Sequence, residues 1–301
     1  MSRKGTDRRA RERRASNDVP RRTRRSRSTA GAKKSGLRPP VSVNAFFLLS
    51  LQVAPDALLL RLAAPRVARA APGQFAMLRV PERADLLLPR PLSFLDANPR
   101  SGEVAFLIRT RGAGTRHLMG LQMGPELAVW GPLGTRFTPL NSASVLMIAG
   151  GVGVAPLVFL ARRLRRRRCR ITFVFGARTA SALYMGNLVR KFAHTPLLAT
   201  EDGSEGQKAT AVELLVQILD PSGGPGRKFD FAYLCGPPPM LEAAAPVLAA
   251  ASIPSEASFE SRMLCGLGVC GCCTVEVPEA GADGRNRRVR LCRDGPVLRL
   301  T

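Results

Sequence analysis

The sequence predicts a multidomain chain: a small antiparallel β-barrel, then an α/β domain on a parallel sheet, then a short cysteine-rich module. Three observations predict it. Between Val41 and about Leu140 the apolar runs are short and broken by Gly and Pro. From Ser144 onward, buried apolar strands recur about every 25 residues with helical stretches between them. Finally, four of the seven cysteines crowd into Cys265–Cys273. The expected boundaries are 1–40 for a basic tail, 41–140 for the barrel, 141–252 for the α/β domain and 253–301 for the module.

Composition bounds the alternatives. A chain of 301 residues with 45% apolar content can bury two or three cores. The formal charge of +24 invites a nucleic-acid reading, but residues 1–40 hold 15 Lys or Arg against Asp7, Glu12 and Asp18, which is half of it. That tail, with Arg21, Arg22, Arg24, Arg25 and Arg27 in one run, lacks the large apolar residues that would offset its ordering entropy and is expected to be disordered. An anion-binding arm and a targeting signal are the competing readings. A signal needs an apolar stretch and a small-residue cleavage site, whereas Phe46–Leu51 is short and runs into Gln52. With no apolar run of about 18 residues, and cysteines clustered rather than spread in pairs, the expectation is a soluble, cytoplasmic protein in a reducing compartment.

In the barrel, strands are expected over Ala57–Leu62, Phe75–Val80, Val104–Ile108 and Leu127–Trp130, with turns at Pro72-Gly73, Gly112, Gly114 and Gly131-Pro132. Within it, Arg90-Pro91-Leu92-Ser93 offers a guanidinium for phosphate and a hydroxyl for a flavin ring edge, and Arg109 with Gly114-Thr115 offers a second phosphate grip. A surface arginine and an ordinary turn would explain the same residues.

In the α/β domain, strands are expected over Val145–Ala149, Ile171–Phe175, Leu197–Thr200 and Phe231–Cys235. A parallel sheet covered by helices binds ligands at the carboxyl ends of its strands. At the first of those ends, Gly150-Gly151-Val152-Gly153-Val154-Ala155-Pro156 delivers a glycine turn into a helix. Glycine lets backbone approach a pyrophosphate, and the helix start supplies free N–H groups. The spacing departs from the usual dinucleotide fingerprint, so a tight structural turn is the alternative. At later strand ends, Asp202 suits ribose hydroxyls and Cys235-Gly236-Pro237 the wall of a nicotinamide site, an ordinary loop turn being the alternative for each. Arg178 after the second strand suits a 2′-phosphate or is a plain surface arginine.

The module carries the most specific signal: Cys265-x4-Cys270-x2-Cys273, with Cys292 following 19 positions later. This is the ligand spacing of a plant-type [2Fe–2S] cluster. Gly266, Gly268 and Gly271 relieve the crowding of a loop wrapped around three thiolates. Four cysteines also suit structural zinc, though zinc sites more often pair two close knuckles. Cys272 is left out as a ligand because it sits between Gly271 and Cys273, and Cys169 is read as a small buried residue.

Taken in order, Arg90–Ser93, Leu107-Ile108-Arg109, Gly114-Thr115, the glycine turn at 150–156, Cys235-Gly236-Pro237 and the four cysteines resemble the electron-transfer subunit of class 1B dihydroorotate dehydrogenase. The runs Glu260–Gly268 and Leu291–Val297 look like that subunit in particular. The resemblance spans about residues 41–301 and implies a ferredoxin reductase-like fold, with FAD held by Arg90–Ser93, Leu107–Arg109 and Gly114-Thr115. It further implies NAD(H) at Gly150, Gly151 and Gly153, and the cluster on Cys265, Cys270, Cys273 and Cys292.

The implied partner is a catalytic, FMN-containing subunit, in a heterotetramer of two catalytic and two electron-transfer subunits. There dihydroorotate is oxidised to orotate for pyrimidine (UMP) biosynthesis, and electrons reach NAD+ through cluster and FAD. The small flavin subunit of NADH-dependent ferredoxin:NADP oxidoreductases or sulfide dehydrogenases shares nearly every motif. Four cysteines argue against it, since some of those subunits replace one with aspartate. No catalytic acid or base is expected, because His117 and His194 are the only histidines and neither sits in an acid–base arrangement. A nucleic-acid-binding protein is the reading of another class; 5% aromatics and no stacking motif weigh against it.

Overall fold

Barrel strands alternate sharply between core and surface. In the computed structural model, which describes residues 41–79, 86, 88–121, 126–220, 228–278 and 286–300, β1 (Val41–Ala54), β2 (Ala57–Ala63), β3 (Phe75–Arg79), β4 (Arg90–Asn98), β5 (Glu103–Arg109) and β6 (Glu126–Leu133) close in the order β1-β2-β5-β4-β3-β6. The expected disordered tail lies outside the described residues. Register puts Leu58 opposite Ile108, Leu60 opposite Phe106 and Leu62 opposite Val104. All six are buried, as the period of two requires. Phe94 adds its ring at 5.1 Å from that of Phe106. The short helix α1 (Ala113–Met119) follows β5.

The second layer is a sheet of order β10-β9-β8-β7-β11-β12-β15, built from β7 (Ser144–Gly150), β8 (Arg170–Ala177), β9 (Thr195–Thr200), β10 (Gln207–Lys208), β11 (Phe231–Cys235), β12 (Ser255–Ser258) and β15 (Val297–Arg299). Strands β7 to β12 pair in parallel and β15 closes the edge antiparallel. Helices α2 (Val154–Arg166) and α3 (Gly186–Phe192) cover one face; α4 (Ala211–Leu219) and α5 (Pro238–Ala250) cover the other. The chain runs outward from β7 to β10, then crosses back to β11 on β7's other side. That reversal opens a crevice between the ends of β7 and β11, where such sheets bind ligands. Outer-face residues of the barrel, Leu95, Ala105 and Leu107, join the same core as α2.

Two barrel strands were not anticipated: β1, whose Phe46-Phe47-Leu48-Leu49 run masks alternation, and β4, read only as a ligand motif. The C-terminal segment also departs from a separate module. Its β12 and β15 complete the α/β sheet, leaving only the cysteine loop and the hairpin β13 (Thr274–Pro278) and β14 (Asn286–Arg290) outside it. Ser255 and Ser258 are buried yet polar, so β12 carried no apolar signature. Residues 39–301 accordingly form one unit.

Phe94→Ala should test this core. Truncating a fully buried phenylalanine costs about 3–5 kcal/mol, so the urea midpoint of the variant is expected to fall with little change in slope.

Candidate functional site

Two clefts open where barrel and sheet meet. The smaller, about 300 Å³, is lined by Arg90, Pro91, Leu92, Ser93, Leu107, Ile108, Arg109 and Thr115 on the barrel side, and by Gly153, Pro156 and Cys235 on the other. Nearly all the residues read as flavin-binding are thus brought together. Arg90 is held by its own loop, Nη1 donating to the carbonyls of Leu88 and Leu86 at 2.5 and 3.4 Å. Gly114 lies beneath that guanidinium, where a Cβ would come within 2.2 Å of it. The Thr115 hydroxyl accepts from the backbone N–H of Arg111 and Gly112 at 2.9 and 3.2 Å.

The larger cleft, about 510 Å³, is lined by Gly150, Gly151, Arg178, Tyr184, Glu201 and Pro237 among others, and Arg109 and Arg111 line both clefts. Its carboxyl-end position and mixed charge suit a dinucleotide. Asp202 is not on its wall. That carboxylate is exposed and its Oδ1 accepts from the Ser204 N–H and hydroxyl at 3.0 and 2.6 Å. Glu201, one residue earlier, faces the cleft instead; a one-residue shift at a strand end reverses the side chain's face. Gly236 lines neither cleft, and a Cβ there would meet Met240 Cε at 2.5 Å.

The glycines divide into two kinds. Gly151 is left-handed at φ +51° with nothing near a Cβ, and it faces the larger cleft. Gly153 is a packing glycine: a Cβ would lie 2.4 Å from the Cys235 carbonyl oxygen and 2.8 Å from Gly236 N. The room it makes is for β11, not only for a pyrophosphate.

Sequence reasoning missed the third wall of the smaller cleft: Ser258, Phe259, Glu260, Ser261 and Met263, at the carboxyl end of β12. Recognising β12 as a strand would have flagged them by the same strand-end rule. Burial pushes the Glu260 carboxyl above its ordinary range, with Arg111 opposing. Burial, then the Glu260 charge, pushes the Cys235 thiol up, while a hydrogen bond with Ser258 works the other way.

Met263 leads into the cysteine loop, where Gly266, Gly268 and Gly271 take φ of +69°, +77° and +70°. That left-handed geometry is glycine's domain. Thiols gather as two pairs, Cys265 with Cys270 and Cys273 with Cys292. Leu267 N–H donates to Cys265 Sγ at 3.3 Å and Cys292 N–H to Cys273 Sγ at 3.4 Å. Burial opposes it, but backbone N–H groups of Cys270, Leu267 and Val269, with the Cys270 side chain, hold Cys265 down at about 6. Cys292 is pushed up to about 12 by burial and by its contact with Cys273.

Among the described residues no three His, Cys, Asp or Glu side chains converge as for a single ion. Two thiol pairs supplied with amide donors fit the donor set of a two-iron cluster, which Cys265, Cys270, Cys273 and Cys292 would hold. Cys169 is buried, its Sγ 3.4 Å from the Leu140 carbonyl. The His194 Nδ1 accepts from Ile171 N–H at 3.0 Å.

Gly153→Ala should therefore disturb both clefts, lowering thermal stability and flavin content together. Gly151→Ala should stay folded at a cost of about 1–2 kcal/mol for its left-handed backbone and keep its flavin. Flavin absorbance per protein, read beside the thermal midpoint, checks the contrast.

Comparisons with known proteins agree with the geometry. Residues 260–301 match the iron-sulfur cluster binding domain of dihydroorotate dehydrogenase B, and residues 147–245 the oxidoreductase NAD-binding domain. The chain is 39% identical over 249 residues to the electron transfer subunit of dihydroorotate dehydrogenase B (NAD(+)) from Desulforamulus reducens, covering 82% of this chain and 92% of that one. It is 37% identical to the same subunit of Geobacillus thermodenitrificans, covering 76% and 84%. Among solved structures, one of NADH-dependent reduced ferredoxin-NADP oxidoreductase superposes with TM-score 0.74 at 28% identity, covering 86% of this chain and 88% of that chain. The ferredoxin reductase of carbazole 1,9a-dioxygenase, at 23% identity and TM-score 0.60 over 72% and 67%, shares the fold. Among the described residues no helix is long and apolar enough to cross a membrane. The chain belongs to the family of dihydroorotate dehydrogenase B electron transfer subunits, the oxidoreductase components with a ferredoxin reductase-like barrel, an NAD-binding domain and an iron–sulfur module.

Proposed function

We propose that this chain carries electrons between a catalytic dihydroorotate dehydrogenase subunit and NAD(H), holding FAD in the smaller cleft and a [2Fe–2S] cluster on Cys265, Cys270, Cys273 and Cys292. One observation supports it above the others. The smaller cleft shares Arg109 and Arg111 with the larger cleft on one side, and through Met263 adjoins the cysteine core on the other.

Bound there, FAD exchanges an electron pair with nicotinamide and single electrons with the cluster, which neither of those can do with the other directly. The residues of the chain supply the rest. Arg90 and Thr115 would grip the flavin nucleotide's phosphates, and Ser93, Leu107 and Ile108 would line its ring. Gly150, Gly151 and Pro237 would border the nicotinamide nucleotide. Ser258, Glu260 and Met263 would form the third wall of the flavin cleft.

The partner would dock on the cysteine loop. Leu264, Leu267 and Val269 are exposed there, Val269 by 84%, and they lie within six residues of the exposed Cys270 in the sequence. An apolar rim around an electron-exchange site suits a protein surface. A catalytic subunit holding FMN, in a complex of two such subunits with two of these, is the assembly we infer.

The absorption spectrum of the purified protein tests the reading, since flavin and iron–sulfur bands are both visible; a colourless protein would overturn it. Serine at Cys265, Cys270, Cys273 or Cys292 should each remove most iron and acid-labile sulfide, while Cys272→Ser should leave both, by direct assay. Val269→Asp should leave cluster and FAD intact yet reduce recovery of the co-expressed catalytic subunit in a pull-down by about 10-fold or more, as for loss of a buried interface anchor.

A further inference from the structure

Arg109 stands on the wall common to both clefts, yet its charge is already engaged. Its Nε donates to Asp56 Oδ2 at 2.8 Å. The other carboxylate oxygen, Oδ1, accepts from the Tyr184 hydroxyl at 2.7 Å. These three residues come from separate places: Asp56 from the tight turn between β1 and β2, Arg109 from the end of β5, and Tyr184 from the α/β domain just before α3.

The carboxylate therefore joins the two domains at the mouth of the nucleotide cleft. Its turn is fixed from behind as well, since Thr110 donates to the Asp56 carbonyl from N at 2.7 Å and from Oγ1 at 3.0 Å. Tyr184 is 3% exposed and shares its core with Val53, Ala54 and Ala57 of the hairpin. Burial opposes ionisation of Asp56, but the bonds from Tyr184 and Arg109 hold its carboxyl below the usual range.

As a surface ion pair this would stabilise little, because Arg109 and Asp56 are 39% and 40% exposed. Its consequence is geometric. An untethered guanidinium on that wall would follow whichever phosphate came nearest, and the wall would shift with it. Nicotinamide and flavin exchange the electron pair only when the reacting atoms are about 3–3.5 Å apart, and a misplacement of about 1 Å can cost roughly 100-fold in rate.

We propose that Asp56 is a positioning residue for the exchange between the two clefts. With Tyr184 it fixes Arg109, and so sets the spacing across which a nicotinamide in the larger cleft meets a flavin in the smaller. The inference deepens the function proposed above and rests on it. In the direction tested, the C–H bond of NADH breaks and its hydrogen passes with the electron pair to the flavin ring, where the new bond forms; the nicotinamide is oxidised to NAD+ and the flavin is reduced by two electrons.

The test is single-turnover bleaching of the flavin by NADH, followed by stopped flow over a range of NADH concentrations in the full-length holoprotein. Tyr184→Phe deletes the cross-domain bond alone, and the isosteric Asp56→Asn removes the charge that holds Arg109. Both are expected to keep FAD, cluster and full reduction by dithionite. The limiting rate should fall about 10-fold or more, while the apparent Kd for NADH moves less than about 3-fold. The double variant should be no slower than the slower single, because the residues act as one unit.

Unchanged limiting rates, a defect confined to NADH affinity, multiplicative losses in the double variant, or loss of FAD from Asp56→Asn would each overturn the positioning role. If Tyr184→Phe is too unstable to purify, Asp56→Asn alone decides between these outcomes. A wild-type protein whose flavin NADH fails to bleach would instead remove the underlying functional reading.

Discussion

Where the turn after β7 meets the end of β11, the backbones lie so close that no side chain fits between them: a Cβ on Gly153 would sit 2.4 Å from the carbonyl oxygen of Cys235. Much else depends on that contact. It lets α2 begin at Val154 directly over the sheet, so that Val154 through Ala161 are buried. The barrel then seats Leu95, Ala105 and Leu107 against the same core. Gly150 and Gly151 face the larger cleft while Gly153 and Cys235 face the smaller. One strand-to-helix turn is thus a wall of both clefts, and neither can be reshaped without the other.

Charge is distributed in a way that separates this site from the chain's overall basicity. Half of the formal +24 lies in residues 1–40. Another group, Arg163 and Arg165 to Arg168, gathers at the C-terminal end of α2, where cations complement the negative end of the helix dipole. In a βα unit that end lies at the opposite edge of the sheet from the carboxyl ends lining the clefts. The clefts themselves combine Arg109, Arg111 and Arg178 with Glu201 and Glu260. Total charge therefore says little about function here, and placement says a good deal.

The parts of the fold that were legible in the sequence are those with a repeated physical signature. Phe231–Cys235 was bounded to the residue, and Ala57–Leu62, Val104–Ile108 and Val145–Ala149 fall inside β2, β5 and β7, because burial on one or both faces imposes apolar alternation or apolar runs. What was missed lacked that signature. Strand β12 is Ser-Glu-Ala-Ser, held in the sheet by pairing with β11 rather than by its own side chains, so the third wall of the smaller cleft went unread. Asp202 against Glu201 turned on a single residue of register at the end of β9. Gly153 was read for what it admits; the structure adds what it touches. Cysteine spacing, by contrast, is a signal of loop reach that needs no apolar pattern to be read, and in the fold Cys265 lies near Cys270 and Cys273 near Cys292.

A loop that needs three left-handed glycines is not rigid by itself, and what steadies the cysteine loop is the way the chain leaves it. Leu291 N–H bonds to the Cys273 carbonyl at 3.1 Å, bringing both ends of the β13–β14 hairpin together beside Cys292. Three residues on, Gly295 accepts from Thr135 N–H at 2.5 Å, and the Thr135 hydroxyl is within hydrogen-bond reach of both Val297 O and Val297 N at 2.9 and 3.1 Å. Strand β15 then pairs with β12 on the sheet edge. Before the loop, Phe259 N–H bonds to Pro296 O at 3.0 Å. The cysteines are thus clamped on both sides to the barrel's exit segment and to the sheet that carries the clefts, which is how an irregular loop comes to hold a site with the precision of the regular elements around it.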